Sequence, residues 1–224
     1  MPVAFVDLAQ QCAPQITVET LAAIVSVESA FRPFAIRINS DHPLADPPRT
    51  RAEAIETATI LIAEGVDIDL GLTGLPARDL PRLGLSVGDS FDFCMNLKAS
   101  ATLLDGYYRV AVGDGASAAE ARVAMLRAWY GRGDASIGEM VGYDTKVLAE
   151  QSRLSGHLDR LEITVVAGEG SAAGQADLEG RNAAANSPQA RPNEQGSSDA
   201  APRWDVFGSG RRSSVLVFSN QHKE

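Results

Sequence analysis

Apolar side chains recur at helical spacing from residue 17 onward. Leu21, Ile24, Val25 and then Glu28 fall at i, i+3, i+4 and i+7, and Thr17 stands where a hydroxyl can cap the first turn. A second helix is expected over Arg51 to Glu64 through Ile55, Ala58, Leu61 and Ile62, with Gly65 placed to end it. Phe93 to Tyr108 repeats the pattern with Leu97, Ala101, Leu104 and Tyr108. Ser117-Ala-Ala-Glu120 reads as a capping box before a helix through Met125 to Trp129. Ser136-Ile-Gly-Glu139 reads as a second box, opening a helix through Val141, Val147 and Leu148. Val66 to Leu72 alternates with period two, a brief extended segment too short for a sheet of consequence. The pattern predicts a mainly helical, α+β domain over residues 1–167 with one small extended insert.

Beyond that domain the periodicity stops. From Gly168 to Arg203 the only large apolar residue is Leu178, so residues 168–203 are expected to form a disordered linker. Residues 204–224 turn apolar again through Val206, Phe207 and Val215 to Phe218. They read as a short interaction segment on a flexible tether, or as an edge strand that folds back on the domain.

Charge and composition narrow the function classes. The 224 residues hold 20 Lys and Arg against 29 Asp and Glu, a net charge of −9 with no basic block. Nucleic acid is therefore not an expected partner, and an anionic membrane surface has little to attract it. The longest apolar runs, such as Leu21 to Val25, are far too short to cross a bilayer. Met1 to Leu8 lacks Lys and Arg and is broken by Asp7, so no complete secretory signal is read there. Two cysteines, Cys12 and Cys94, are too few for a disulfide scaffold or a zinc site and read by themselves as buried thiols. His42, His157 and His222 are isolated, so neither a metal nor another cofactor is expected.

Glu28 is the residue that a purely structural account does not absorb. On the apolar stripe, its carboxylate must be paired or have its pKa raised by desolvation. Its place in the last helical turn pushes the same way, because the dipole there is negative. A carboxyl kept protonated near neutral pH suits general acid catalysis. The plainer alternative is that Glu28 sits at the stripe's edge and reaches water. Asp67 and Asp69 are the carboxylates a hydrolase would set opposite it, although the alternation puts them on the solvated face of the extended segment. Tyr130 and Tyr143, taken alone, read as amphipathic core tyrosines.

The stretch Glu28-Ser29-Ala30-Phe31-Arg32-Pro33-Phe34-Ala35-Ile36 resembles the E-S-x-F-x-P-x-A-I signature of goose-type lysozymes and lytic transglycosylases. More closely, the chain resembles the peptidoglycan-cleaving transglycosylase component of type IV secretion systems. Cys12-Ala-Pro14, Asp69-Leu-Gly-Leu72, Leu83-Gly-Leu85 with Cys94-Met-Asn-Leu97, Trp129-Tyr-Gly-Arg-Gly-Asp134 and Gly142-Tyr-Asp-Thr-Lys-Val147 follow in the family's order. The resemblance covers roughly Leu8 to Leu148. It departs at Gly74, where the family has glutamine, and at Gly131, where it has asparagine.

The resemblance implies a lysozyme-like fold, a catalytic Glu28, and substrate contacts from Ser29, Leu72, Thr73, Tyr130 and Tyr143. It implies cleavage of the β-1,4 bond between N-acetylmuramic acid and N-acetylglucosamine to a 1,6-anhydro product, with no metal, cofactor or second protein carboxylate. The expected partners are peptidoglycan glycan strands and, through the C-terminal segment, secretion-system subunits. Such a protein works in the periplasm, so an upstream start or an omitted signal is expected, and a Cys12–Cys94 disulfide with it. The alternatives are a lysozyme-type hydrolase using Asp67 or Asp69, and a non-catalytic binder of glycan or secretion proteins, which the two glycines favour.

Overall fold

The computed structural model describes residues 2–39 and 44–164. The expected linker 168–203, the segment 204–224, and His42 and His222 lie outside the described residues. Strand β1 (Pro2–Ala4) runs directly into helix α1 (Phe5–Cys12), and α2 (Val18–Ser29) follows after one turn. Strand β2 (Ile36–Ile38) precedes α3 (Arg51–Ala63), then come β3 (Ile68–Leu70), β4 (Leu75–Pro76) and the single-turn α4 (Leu80–Leu83). The long α5 (Phe93–Gly113) leads to α6 (Ala118–Tyr130), α7 (Ala135–Met140) and α8 (Tyr143–Leu154), and β5 (Glu162–Thr164) closes the domain. Helix dominates, as the apolar spacing predicts, with two small sheets. No described helix is long and apolar enough to cross a membrane.

The caps explain where the helices begin. Thr17, Thr50 and Asp92 each accept a hydrogen bond from the backbone N–H three residues on, starting α2, α3 and α5. Ser117 and Glu120 form the expected reciprocal box at α6. The second box does not form. Asp134 takes both the N–H (2.9 Å) and the hydroxyl (2.6 Å) of Ser136, while Glu139 turns to Arg127 at 2.8 Å. The helix then breaks at Gly142, whose φ of 62° needs no Cβ, and restarts as α8 at Tyr143.

Residues 66–72 also differ from expectation. Their core is β3, the centre of an antiparallel sheet ordered β2-β3-β4, in which Arg37 pairs with Asp69 and Asp69 with Pro76. Cys12 closes α1 rather than preceding the first helix, and it is disulfide-bonded to Cys94 at the start of α5. The bridge ties the N-terminal helix to the longest one.

Two apolar clusters meet on α2. Ala23 and Ile24 join one with Ile68, Leu70, Phe91, Leu104, Met125 and Trp129. Leu21, Ala22 and Val25 join the other with Phe5, Ala9, Leu72, Leu97, Ala101 and Ile163. Every residue from Leu21 to Val25 is fully buried, so α2 is a core helix rather than a surface helix with one apolar stripe. Each fully buried leucine or isoleucine contributes about 1.5–3 kcal/mol relative to exposure. A helix held on all sides is a rigid base for whatever stands at its C-terminal end, and Glu28 stands there.

Candidate active site

Helix α2 stops abruptly after Ser29. Ala30 and Phe31 both take left-handed backbone, φ 51° and 60°, an uncommon choice for two consecutive residues with side chains. Phe31 is held by an edge-to-face contact with Phe5 at 5.4 Å. The turn leaves Glu28 in the last helical turn with a side chain 1% exposed.

A short loop after β3 closes over this helix end. Ser29 donates its hydroxyl to the carbonyls of Val25 (3.0 Å) and Leu72 (2.7 Å). Asn96, buried on α5, donates Nδ2 to the carbonyls of Leu70 (3.0 Å) and Ser90 (2.9 Å). Its Oδ1 accepts from Thr73 N–H (3.1 Å) and from the Thr73 hydroxyl (2.8 Å), which also bonds Ser100 at 2.5 Å. One amide therefore satisfies four groups that water cannot reach. Gly71 permits this closeness, since a Cβ there would lie 2.4 Å from the Ser90 carbonyl oxygen. Gly74, φ 68°, then lies against Glu28, where a Cβ would stand 2.9 Å from Oε2.

Two tyrosines and an arginine complete the surroundings of the carboxyl. The Tyr143 hydroxyl donates to Glu28 Oε1 at 2.6 Å, and its ring packs 5.2 Å from that of Tyr130, which is 37% exposed. Helices α2 and α8, which carry the pair, are joined by Thr20 to Gln151 (3.4 Å) and by the Ser26 hydroxyl to Glu150. Arg153 holds Glu150 down to about 2, with Ser26 helping. Arg37 reaches Glu28 Oε2 with Nη1 at 2.7 Å and Asp69 Oδ2 with Nε (3.1 Å) and Nη2 (2.7 Å). Arg132, itself left-handed at φ 57°, pairs with Asp69 at 2.6 Å and with Asp67 at 2.7 Å. An alternating chain of charge results: Glu28, Arg37, Asp69, Arg132, Asp67.

Burial pushes the Glu28 carboxyl above the ordinary carboxylate range, and the negative charge of Asp69 adds to the rise. Arg37, the Tyr143 hydrogen bond and Trp129 oppose it without cancelling it. The Arg37 contact is close but poorly directed, and Glu28 Oε2 accepts no hydrogen bond of good geometry. Tyr143, pushed well above its usual range by burial and by Glu28, keeps its proton and remains a donor. The arrangement suits a carboxyl that holds a proton near neutrality and whose second oxygen faces Arg37 without a well-directed hydrogen bond.

The structure brings Glu28, Tyr130 and Tyr143 together. Ser29, Leu72 and Thr73 are placed differently from the expectation that they contact substrate. Their side chains are buried and committed to the loop and the core, so they present no surface to a ligand. Asp69 is not on a solvated face either: it is 2% exposed and held by two arginines, while Asp67 is 53% exposed. Gly131 has a local reason, because a Cβ there would fall 1.8 Å from the Asp134 carbonyl oxygen. Arg37, Arg132 and Asn96 are the participants that sequence reasoning missed; for Arg37 the signal was its rung opposite Asp69. An open depression of about 370 Å³ on α6, lined by Val123, Ala124 and Arg127, shares no residue with this site. Among the described residues no group of His, Cys, Asp and Glu is placed to hold a metal ion.

No family model matches the chain, and no solved structure matches it. It is 42% identical over 110 residues to the type IV secretion system protein virB1 of Brucella abortus and to that of Brucella suis, covering 49% of this chain and 46% of each relative. It is 30% identical over 145 residues to protein virB1 of Agrobacterium fabrum, covering 64% of this chain and 57% of that one. The chain thus spans about half the length of the curated relatives it matches. Its homologues are the virB1 proteins of type IV secretion systems.

Proposed function

We propose that this chain is a lytic transglycosylase that opens peptidoglycan locally for a type IV secretion or conjugation apparatus, working in the periplasm. Residues 1–167 form the catalytic domain, and residues 204–224, on the tether 168–203, contact other subunits of the apparatus. The observation that carries this reading is the buried Glu28 carboxyl, raised in pKa and held between Tyr143 and Arg37.

In the reaction Glu28 gives its proton to the glycosidic oxygen as the C1–O bond breaks. The oxocarbenium-like centre at C1 is stabilised by the sugar's own acetamido group. The muramyl C6 hydroxyl then bonds to C1 while the Glu28 carboxylate takes its proton, which restores the acid and leaves a 1,6-anhydro sugar. Tyr143 fixes the carboxyl, and Tyr130 offers a ring face to the glycan. A hydrolytic route that uses Asp67 or Asp69 would need that carboxylate free, yet Asp69 is paired with two arginines and Asp67 with one.

Digestion of purified peptidoglycan followed by mass spectrometry tests the proposal. The wild type should release 1,6-anhydro muropeptides, one water lighter than hydrolytic products, and Glu28→Gln should release none while its circular dichroism is unchanged. Reducing ends would identify a hydrolase. Binding without release would identify a non-catalytic protein.

A further inference from the structure

One carboxyl that acts first as acid and then as base must exist for an interval as a carboxylate. The Glu28 proton leaves with the glycosidic oxygen as the C1–O bond breaks, and none returns until the C6 hydroxyl bonds to C1. In that interval a side chain only 1% exposed carries a full negative charge. A buried charge without a partner is costly, so the energy of the intermediate depends on what already stands beside the carboxylate.

Four elements face the carboxyl. Strand β2 brings Arg37, with Nη1 2.7 Å from Oε2, and α8 brings the Tyr143 hydroxyl, 2.6 Å from Oε1. Strand β3 adds the negative charge of Asp69, and α6 adds the Trp129 side chain as a further hydrogen-bond partner. Among the described residues, Arg37 is the only cation in ion-pair contact with Glu28. Its place is set elsewhere. Nε and Nη2 both go to Asp69, at 3.1 and 2.7 Å, and Arg132 holds the other oxygen of Asp69 at 2.6 Å. Arg37 and Asp69 are also direct partners across the β2–β3 ladder. The approach to Glu28, by contrast, lacks the direction of a good hydrogen bond, as expected of a guanidinium aimed by Asp69 and not by the carboxyl it faces.

We propose that Arg37 is a positioning residue of the reaction: a cation set in advance by Asp69 and Arg132, which stabilises Glu28 as a carboxylate between its two proton transfers. A charge already in place needs no reorganisation when the carboxylate forms. Burial alone would make Glu28 a reluctant acid, and Arg37 is the largest of the effects that oppose burial. The inference rests on the transglycosylase reading and adds to it the group that lets one buried carboxyl serve twice.

Nuclear magnetic resonance and kinetics on the full chain test this. In the wild type, isotope-labelled Glu28 is titrated while the Arg37 Nε–H signal is followed, each assigned by its loss in Glu28→Gln and Arg37→Lys. The Nε–H signal should persist on both sides of the Glu28 midpoint, because Asp69 holds it in either state. In Arg37→Gln the Glu28 midpoint should lie higher, and the alkaline limb of the pH–rate profile for peptidoglycan cleavage should follow it. The plateau rate should fall about a hundredfold, as the loss of a preorganised charge partner does. Arg37→Lys keeps the charge, so it should hold the midpoint near that of the wild type and recover most of the rate. A purely structural role would slow both variants without moving the midpoint. Because Arg37→Gln takes a partner from two buried carboxylates, the wild-type signal supplies a readout independent of that variant's folding. Loss of the Nε–H signal when Glu28 is protonated, an unmoved midpoint in Arg37→Gln, or a lysine variant no better than the glutamine one overturns the proposal. The titrations need no turnover, so the products of wild-type digestion report separately on the transglycosylase reading.

Discussion

Tyr143 donates its phenolic hydrogen to Glu28 Oε1 at 2.6 Å from a position 115 residues further along the chain. The bond lowers the Glu28 pKa against the larger effect of burial, so removing it should let that pKa rise further. In Tyr143→Phe the alkaline limb of the pH–rate profile for peptidoglycan cleavage should therefore move to higher pH. The carboxyl would also lose its orientation, which should reduce the rate on the order of tenfold. A profile that keeps its limbs would show that the hydroxyl does not act on Glu28.

Acid should loosen the junction of α2 and α8. Glu150 accepts from Ser26 and Arg153 and is held at about 2, below the ordinary carboxylate value of 4.5. A depressed pKa means stability that is fully present above 4.5 and lost as pH falls toward 2. Thermal melts between those values should show Glu150→Gln losing less of its melting temperature with acid than the wild type. Parallel curves would assign the acid sensitivity to other groups.

Gly74→Ala should damage the site more than its one methyl suggests. The new Cβ would sit at φ 68° and 2.9 Å from Glu28 Oε2, so both the backbone and the carboxyl would have to shift. Left-handed backbone costs a residue with a side chain about 1–2 kcal/mol. The expected outcome is a similar loss in chemical denaturation and a fall in cleavage on the order of a hundredfold, as displaced catalytic groups show. An active, fully stable variant would mean that the loop moves freely.

Asn96→Ala should test how much the loop depends on one amide. Four buried groups lose a bond, the Thr73 hydroxyl alone keeping Ser100, and each orphaned group costs about 1–3 kcal/mol before relaxation or water entry. A net loss of about 3 kcal/mol corresponds to a drop of roughly 6–12 °C in melting temperature for a domain of this size. An unchanged melt would show that the network is dispensable.

The Cys12–Cys94 bridge closes a separation of 82 residues. The chain-entropy account gives about 4 kcal/mol for a loop of that length. Replacing both cysteines by serine should lower the melting temperature by roughly 8–16 °C. Titration with a thiol reagent under denaturing, non-reducing conditions should find no free thiol in the wild type.

Helices α2, α3, α5 and α6 were legible because their apolar spacing and capping residues are local features. Helix α1 was not, although Phe5, Leu8, Ala9 and Cys12 keep the helical spacing: it has only eight residues, and Ala4 offers no side-chain cap. The false capping box at Ser136 arose because Asp134, two residues earlier, competes for the same N–H. Alternation around Ile68 and Leu70 correctly set Asp69 on the opposite face, but it could not show that two arginines cover that face. A long side chain's destination depends on tertiary placement, which is why Arg37 and Arg132 escaped notice while Glu28, an anomaly within its own helix, did not. The burial of the Ser29, Leu72 and Thr73 side chains was hidden for a related reason. Their importance to the loop is visible in the sequence motif, but the direction in which they point is not.

The pairing of Pro2 with Thr164 sets the mechanics of the domain. Both flanks of the chain set out from the same end of a three-rung antiparallel ladder, so tension between them opens the rungs one at a time, like a zipper, instead of shearing them together. A pull on the flanks would peel β1 from β5 at low force, and on the N-terminal side the unravelling would end at Cys12, where the covalent bridge to Cys94 takes the load. The span from Cys12 to Cys94, which holds α2 and Glu28, thus lies outside the line of pull.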